Sequence, residues 1–172
     1  MGVSKGVVIG FVAALVLLAV GAYCYFSFGL APVATASKPI LFERYLAHRA
    51  LKAVIAKAAD TPSPVDASEP NLKNGATVYR ENCAVCHGLT GQEMSNIAKG
   101  EFPKPPHLFR GKGVTDDSVG ETFWKAQNGI RLTGMPGFRG LLTETQLWQV
   151  SQLLANADKL PDSVKQELNH KE

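Results

Sequence analysis

Cysteine is scarce in this 172-residue chain: only Cys24, Cys83 and Cys86 are present. Three thiols cannot all pair, and Cys24 lies inside an apolar run, so a disulfide scaffold is excluded. A zinc site built on Cys83 and Cys86 would need a second ligand pair, and none is evident. Charge is sparse too, at 19% of residues against 45% hydrophobic, with a formal net charge of only +3. Between residues 71 and 172, 12 basic side chains meet 11 acidic ones, so that part is nearly neutral. The chain has no long basic tract interleaved with aromatics, which argues against nucleic acid as a partner. It also offers no Ser-His-Asp set, phosphate loop or paired-carboxylate cleft. Nothing therefore points to an enzyme or to a small-molecule substrate.

Charge is missing altogether from "GVVIGFVAALVLLAVGAYCYFSFGL", residues 6–30. At about 1.5 Å per residue, roughly 20 apolar residues cross a bilayer core, so this run is long enough to span. Tyr23, Tyr25, Phe26 and Phe28 crowd its C-terminal end, as in an interfacial aromatic belt. The competing reading is a cleaved signal, for which Ala34-Thr35-Ala36 offers a site, although signal cores are typically about 7–15 residues. Residues 1–30 are taken as a transmembrane anchor, and Cys24 as a small lipid-facing residue.

Residues 31–70 divide into two parts. In "KPILFERYLAHRALKAVIAKAAD", 38–60, Leu41, Tyr45, Leu51, Val54, Ile55 and Ala58 recur at helical spacing. Five basic residues accompany them before position 60, against Glu43 alone. Such a basic amphipathic helix fits an anionic headgroup surface, and it fits packing on its own domain equally well. "TPSPVDASEP", 61–70, holds three prolines and no apolar period, which predicts a semi-rigid polyproline spacer.

From 71 to 172 the pattern is all-α with long loops. Asn71 is a candidate cap for a short helix through "LKNGATVYREN". Residues 88–120 are too broken by Gly and Pro for a sheet. "DSVGETFWKAQNG" reads as a helix stopped by Gly129. The strongest helix is "TETQLWQVSQLLANADKL", 143–160, capped by Thr143, lined by Leu147, Val150, Leu153, Leu154 and Ala157, and ended by Pro161. A loop-rich domain of about 100 residues has a small core, so a large apolar group is expected in its middle.

"ENCAVCHG", 81–88, names that group. Cys-x-x-Cys-His is the attachment signature of c-type haem. Cys83 and Cys86 would form thioethers with the porphyrin vinyl groups, and His87 would ligate the iron from the same short helical turn. A thioredoxin-like dithiol is the alternative for Cys-x-x-Cys, but it belongs near a βαβ pattern, which is absent here.

On this motif the chain resembles the class I cytochromes c in their membrane-anchored bacterial form, over roughly residues 71–160. The resemblance implies the class I cytochrome c fold around one covalent haem c, preceded here by a transmembrane helix and an amphipathic helix. It implies that Gly75 lets the C-terminal helix approach closely and that Tyr79 packs against that helix, near Trp148 or Leu153. "TGMPGF", 133–138, looks like the family's methionine loop, presenting Met135 as the second iron ligand. Met94 is too close to His87 to reach the other face, and His107 is the remaining alternative. "PPHL", 105–108, resembles the loop whose proline carbonyl accepts the proximal histidine's N–H. That match assigns Pro106 to His87 and places Leu108 on the porphyrin. Arg110, Lys112 and Arg131 are candidates for the haem propionates, or are simply solvated.

His/Met ligation leaves the iron no open position, so the function implied is one-electron transfer between redox protein partners, a donor and an acceptor. A tethered carrier is the leading reading. A fixed cytochrome subunit of an oxidase or dehydrogenase, or a haem sensor or peroxidase, would be the alternatives. Two arguments conflict on topology. The family attaches haem outside the bacterial cytoplasm, whereas Lys38, Arg44 and Arg49 soon after the span would favour the inside. An unoccupied motif is the harder outcome to reconcile. The expectation is therefore a single-pass inner-membrane protein with its haem domain in the periplasm.

Overall fold

A computed structural model describes residues 5–110 and 116–170. The described residues form eight helices and no strand beyond one isolated bridge between Arg139 and Leu142. Contacts divide the chain into two compact units, residues 1–41 and 42–172.

In the first unit, α1 (Lys5–Ser27) is a 23-residue helix with no buried residue. At about 1.5 Å per residue it is about 34 Å long, enough to cross a hydrocarbon core of about 30 Å. By length and composition it is a membrane-spanning candidate, and a signal sequence would pass the same test.

The second unit is built on α3 (Glu69–Asn82), α7 (Glu144–Ala155) and α8 (Asp162–Asn169). Their shared core holds Leu72, Ala76, Val78, Tyr79, Val150, Leu153, Leu160, Val164 and Leu168. The close α3–α7 crossing depends on Gly75, where any Cβ would strike the backbone carbonyl of Gln149 and press on Leu153 Cβ at 3.2 Å. Gly75→Ala is therefore expected to cost about 1–3 kcal/mol, the usual range for overpacking. Urea unfolding should show a lower midpoint with an unchanged slope.

The helix ends correct several expectations. α3 begins before Asn71, with Ser68 at its N-cap and a proline in its first turn. Asn71 instead binds Asp66 through Nδ2 (2.6 Å) and accepts from Gln149 Nε2 (3.0 Å). α7 has the expected Thr143 cap, reciprocated by Gln146, but stops at Ala155 instead of running to 160. There Asn156 turns its side chain back to the Gln152 carbonyl (2.8 Å), offering the backbone a non-helical alternative. Pro161 does more than end a helix, because it is the N-cap residue of α8. Val164 and Leu168, one turn apart and fully buried, dock α8 on α3. Such side chains contribute about 1.5–3 kcal/mol each. Arg80 adds an ion pair to Glu167 (2.9 Å) and Thr77 a hydrogen bond (3.0 Å).

α6 (Val119–Asn128) starts at a capping box of Ser118 and Glu121 and ends at Gly129, whose φ of 67° suits glycine. Phe123 on α6 stacks on Trp148 of α7, with centroids 3.8 Å apart. α2 (Glu43–Ile55) is docked on α6 through the turn that follows it. The Ala58 carbonyl fills the space where Gly120 would carry a Cβ, and Ser118 Oγ donates to the Ala59 carbonyl (2.9 Å). The proline-rich stretch is not a free spacer either. Gln152 Nε2 donates to the Val65 carbonyl (2.7 Å), and Asp66 accepts from Ser68 and Asn71. α2 and residues 56–70 thus belong to the same compact unit as the helices that follow.

Candidate functional site

The last turn of α3 leads directly into the motif. Cys83 closes α3 and precedes α4 (Ala84–His87), a single turn held by His87 N–H to the Cys83 carbonyl (2.9 Å) and Gly88 N–H to the Ala84 carbonyl (2.9 Å). One turn therefore carries both thiols and the imidazole. Gly88 then reverses the chain at φ 75°, where a Cβ would meet the His107 ring at 2.6 Å. Tyr79 fixes this reversal from below, its hydroxyl donating to the Gly88 carbonyl (2.8 Å). The aromatic partner of Tyr79 is Phe109, edge-on at 4.9 Å, and not Trp148, which is stacked on Phe123.

The 105–110 loop closes over His87 by two bonds. Nδ1 of His87 lies 2.8 Å from the Pro106 carbonyl, and Leu108 N–H donates to the His87 carbonyl (3.3 Å). A carbonyl only accepts, so Nδ1 carries the proton and Nε2 keeps its lone pair. Burial lowers the His87 pKa, opposed by the Pro106 carbonyl and by Glu101, which favours the neutral ring that a metal requires. Leu108 and Phe109 are half-buried against the core. His107 has both ring nitrogens engaged: Nδ1 accepts from Phe109 N–H (3.2 Å), and Nε2 faces the Gln92 carbonyl (3.2 Å).

Cys83 and Cys86 are both free. Burial pushes the Cys83 thiol up to about 12. The Cys86 thiol is raised as well, by desolvation and then by its hydrogen bond to Glu101 (Sγ to Oε1, 3.2 Å). A dithiol redox centre needs a lowered thiolate pKa, so this environment opposes that alternative. Among the described residues, no three His, Cys, Asp or Glu side chains converge as a metal site, so Cys83, Cys86 and His87 do not aim at one ion.

Met135 sits in a loop fastened to the C-terminal end of α6. Ile130 N–H donates to the Met135 carbonyl (3.2 Å), Met135 N–H to Thr133 Oγ1 (3.1 Å), and Phe138 N–H to the Ala126 carbonyl (3.0 Å). Gly129 and Gly137 have no room for a Cβ where the loop folds back on the helix. Glu101 links this loop to the motif: its carboxylate binds Cys86 and occupies the space beside Gly134, one residue before Met135. Nothing in the sequence pattern distinguished Glu101. It is placed there by α5 (Asn96–Gly100), a short helix capped by Ser95, whose hydroxyl also donates to the Val85 carbonyl inside the motif. Met94 directly precedes Ser95, the residue bonded to the motif at Val85. Arg110 pairs with Glu93 at the surface (3.1 Å), Arg131 is exposed, and Lys112 lies outside the described residues.

These residues fit a covalent haem. Two unpaired thiols, a neutral imidazole with a free Nε2 and a braced methionine loop come together in one unit. The indole N–H of Trp148 is buried without an acceptor among the described residues, a cost of about 1–3 kcal/mol that a carboxylate-bearing group would offset.

Residues 70–154 match the family model described as cytochrome C oxidase, cbb3-type, subunit III. No curated protein matches the chain. The matched segment runs from the first turn of α3 to near the end of α7 and includes Cys83, Cys86, His87, Pro106, Leu108 and Met135. The chain thus carries an all-helical cytochrome c domain, implying covalent haem c and electron transport, together with an apolar N-terminal helix that suits a membrane.

Proposed function

We propose that the chain is a membrane-tethered cytochrome that passes single electrons between a donor and an acceptor protein through one covalent haem c. The observation that carries this reading is the α4 turn, which holds Cys86 and His87 directly after Cys83 at its N-cap, with Pro106 bonded to the His87 imidazole at Nδ1. When bound, the haem supplies a one-electron ferric/ferrous couple. The chain's residues do the rest. The two sulfurs tie the group to α4, and the Pro106 carbonyl fixes the tautomer and raises the basicity of His87. Leu108 and Phe109 would keep water from the group, and Met135 would be the second residue, after His87, to hold the iron. With His87 and Met135 both holding it, the iron would offer oxygen and peroxide no site, which suits electron transfer without chemistry on a substrate.

Residues 1–30 anchor the chain in the bacterial inner membrane, and residues 71–172 carry the haem in the periplasm. A second reading, a fixed cytochrome subunit of an oxidase, is favoured by the description of the family that residues 70–154 resemble. The test is a potentiometric titration of the purified full chain with protease treatment of spheroplasts. Expected are a reversible one-electron transition, no carbon monoxide adduct of the ferrous form, and digestion of the haem domain from outside. A protected haem domain would overturn the orientation, and a carbon monoxide adduct would overturn the ligation. Co-purification with an oxidase from gently solubilised membranes would select the second reading.

A further inference from the structure

α2 has two faces with different uses. Ile55 is 8% exposed and Leu51 half-buried on the side that meets the domain. About the opposite side, the spacing i, i+3, i+4, i+7 places Phe42, Tyr45, Leu46 and Arg49 in one stripe. The first three are 63%, 60% and 61% exposed. Lys52 follows Arg49 one turn on and is exposed as well. Packing on the domain therefore explains the Ile55 side and leaves the other side unexplained. Phe42 sharpens the question. It stands at φ 65°, a conformation that costs an L-residue roughly 1–2 kcal/mol, and it presents its ring to water.

From these observations we infer that this outer face of α2 is a docking surface for anionic phospholipid, with the aromatic and aliphatic side chains entering the headgroup boundary and Arg49 and Lys52 meeting phosphate. Charge complementarity supports that occupant, because Glu43 is the one acidic residue between positions 38 and 59. Connectivity supports it too. Only residues 28–42 separate α1 from α2, and at about 3.5 Å per residue they reach at most about 50 Å, so a bilayer holding α1 is always near. Three turns that interleave apolar and basic residues match the headgroup boundary, where both classes find their solvent. Docking would restrict the orientations in which the domain meets its partners, and it does not depend on the haem reading.

The test uses the purified full chain with Cys24→Ser and a reporter, Ala53→Cys, on the same outer face. The protein is reconstituted into phosphatidylcholine vesicles with or without phosphatidylglycerol and labelled with a membrane-impermeant maleimide. Labelling at position 53 should slow roughly tenfold in the anionic vesicles, where each nearby basic residue adds attraction. It should recover in high salt and with Arg49→Glu/Lys52→Glu. A second reporter, Gln166→Cys at an exposed position of α8, should react equally in both lipids. Equal labelling of position 53 in both lipids would overturn the inference, as would slowing that ignores lipid charge or that appears equally at position 166. The salt arm needs no substitution on the face itself, so misfolding of the double variant cannot mask the result. Peptide mapping keeps this readout apart from the haem, since label on Cys83 or Cys86 would count against thioether attachment alone.

Discussion

Cys83→Ala combined with Cys86→Ala is expected to abolish covalent haem, leaving a chain that shows no haem stain on a denaturing gel. Thioether bonds survive both denaturation and acid-acetone extraction, whereas haem held only by an axial ligand does not. The wild-type full chain should therefore retain its colour through extraction. Addition of a thiol to a vinyl group requires reduced, unpaired sulfur, and both cysteines are free. Neither is in a disulfide, and the polar contact that the double variant removes is the Cys86–Glu101 hydrogen bond at the edge of the motif. One hydrogen bond and two sulfur atoms are a small loss, so a large loss of fold in the double variant would report mainly the missing haem. The core shared by α3, α7 and α8 is small, and Leu108 and Phe109 only lean against it. Without the haem the 105–110 and 130–138 loops would lose the group that they are proposed to hold. The far-ultraviolet helical signal should fall and the unfolding transition should broaden. Haem that extracts from the wild-type chain would sink the assignment whatever the variant does.

The parts of this architecture that were legible in the sequence are those with a local physical signature. Residues 83–87 form an unbroken motif, Gly129 marks the end of α6, and Thr143 precedes a periodic apolar run, so α4, α6 and the start of α7 follow from short stretches. Gly75 was identified by resemblance, and the Gln149 carbonyl shows why no larger residue fits. The features that escaped depend on contacts distant in sequence. α8 is only eight residues long, and its two buried residues gain meaning only against α3. Proline in "TPSPVDASEP" correctly signals extended backbone, but whether such a segment swings or is strapped down depends on a side chain such as Gln152, 87 positions away from Val65. Glu101 is an ordinary glutamate until α5 turns it toward Cys86. Asn71 shows the same limit at short range, because Ser68 takes the N-cap position and the Asn71 amide turns back to Asp66 and Ser68.

Met135→Ala is expected to convert a closed site into an open one: the ferrous protein should bind carbon monoxide stoichiometrically, where the wild type binds none. Thioether ligation favours ferrous iron, so the reduction potential should also fall, on the order of a tenth of a volt given the range that axial ligands command. The variant should still fold. The loop is held by its backbone through the Met135 carbonyl and N–H, and by Phe138 N–H to the Ala126 carbonyl, none of which needs the methionine side chain. The loss would therefore be confined to the ligand. Two control variants separate this from general loosening of the site. Met94→Ala removes a methionine from the loop that leads into Ser95, which is bonded to the motif at Val85, and it should change neither carbon monoxide binding nor potential. His107→Gln removes a ring already engaged by Phe109 N–H and the Gln92 carbonyl, and it should leave the site closed. If Met94→Ala opened the iron and Met135→Ala did not, the ligand would come from the motif's own loop. The bracing of residues 130–138 against α6 and Glu101 would then need another purpose.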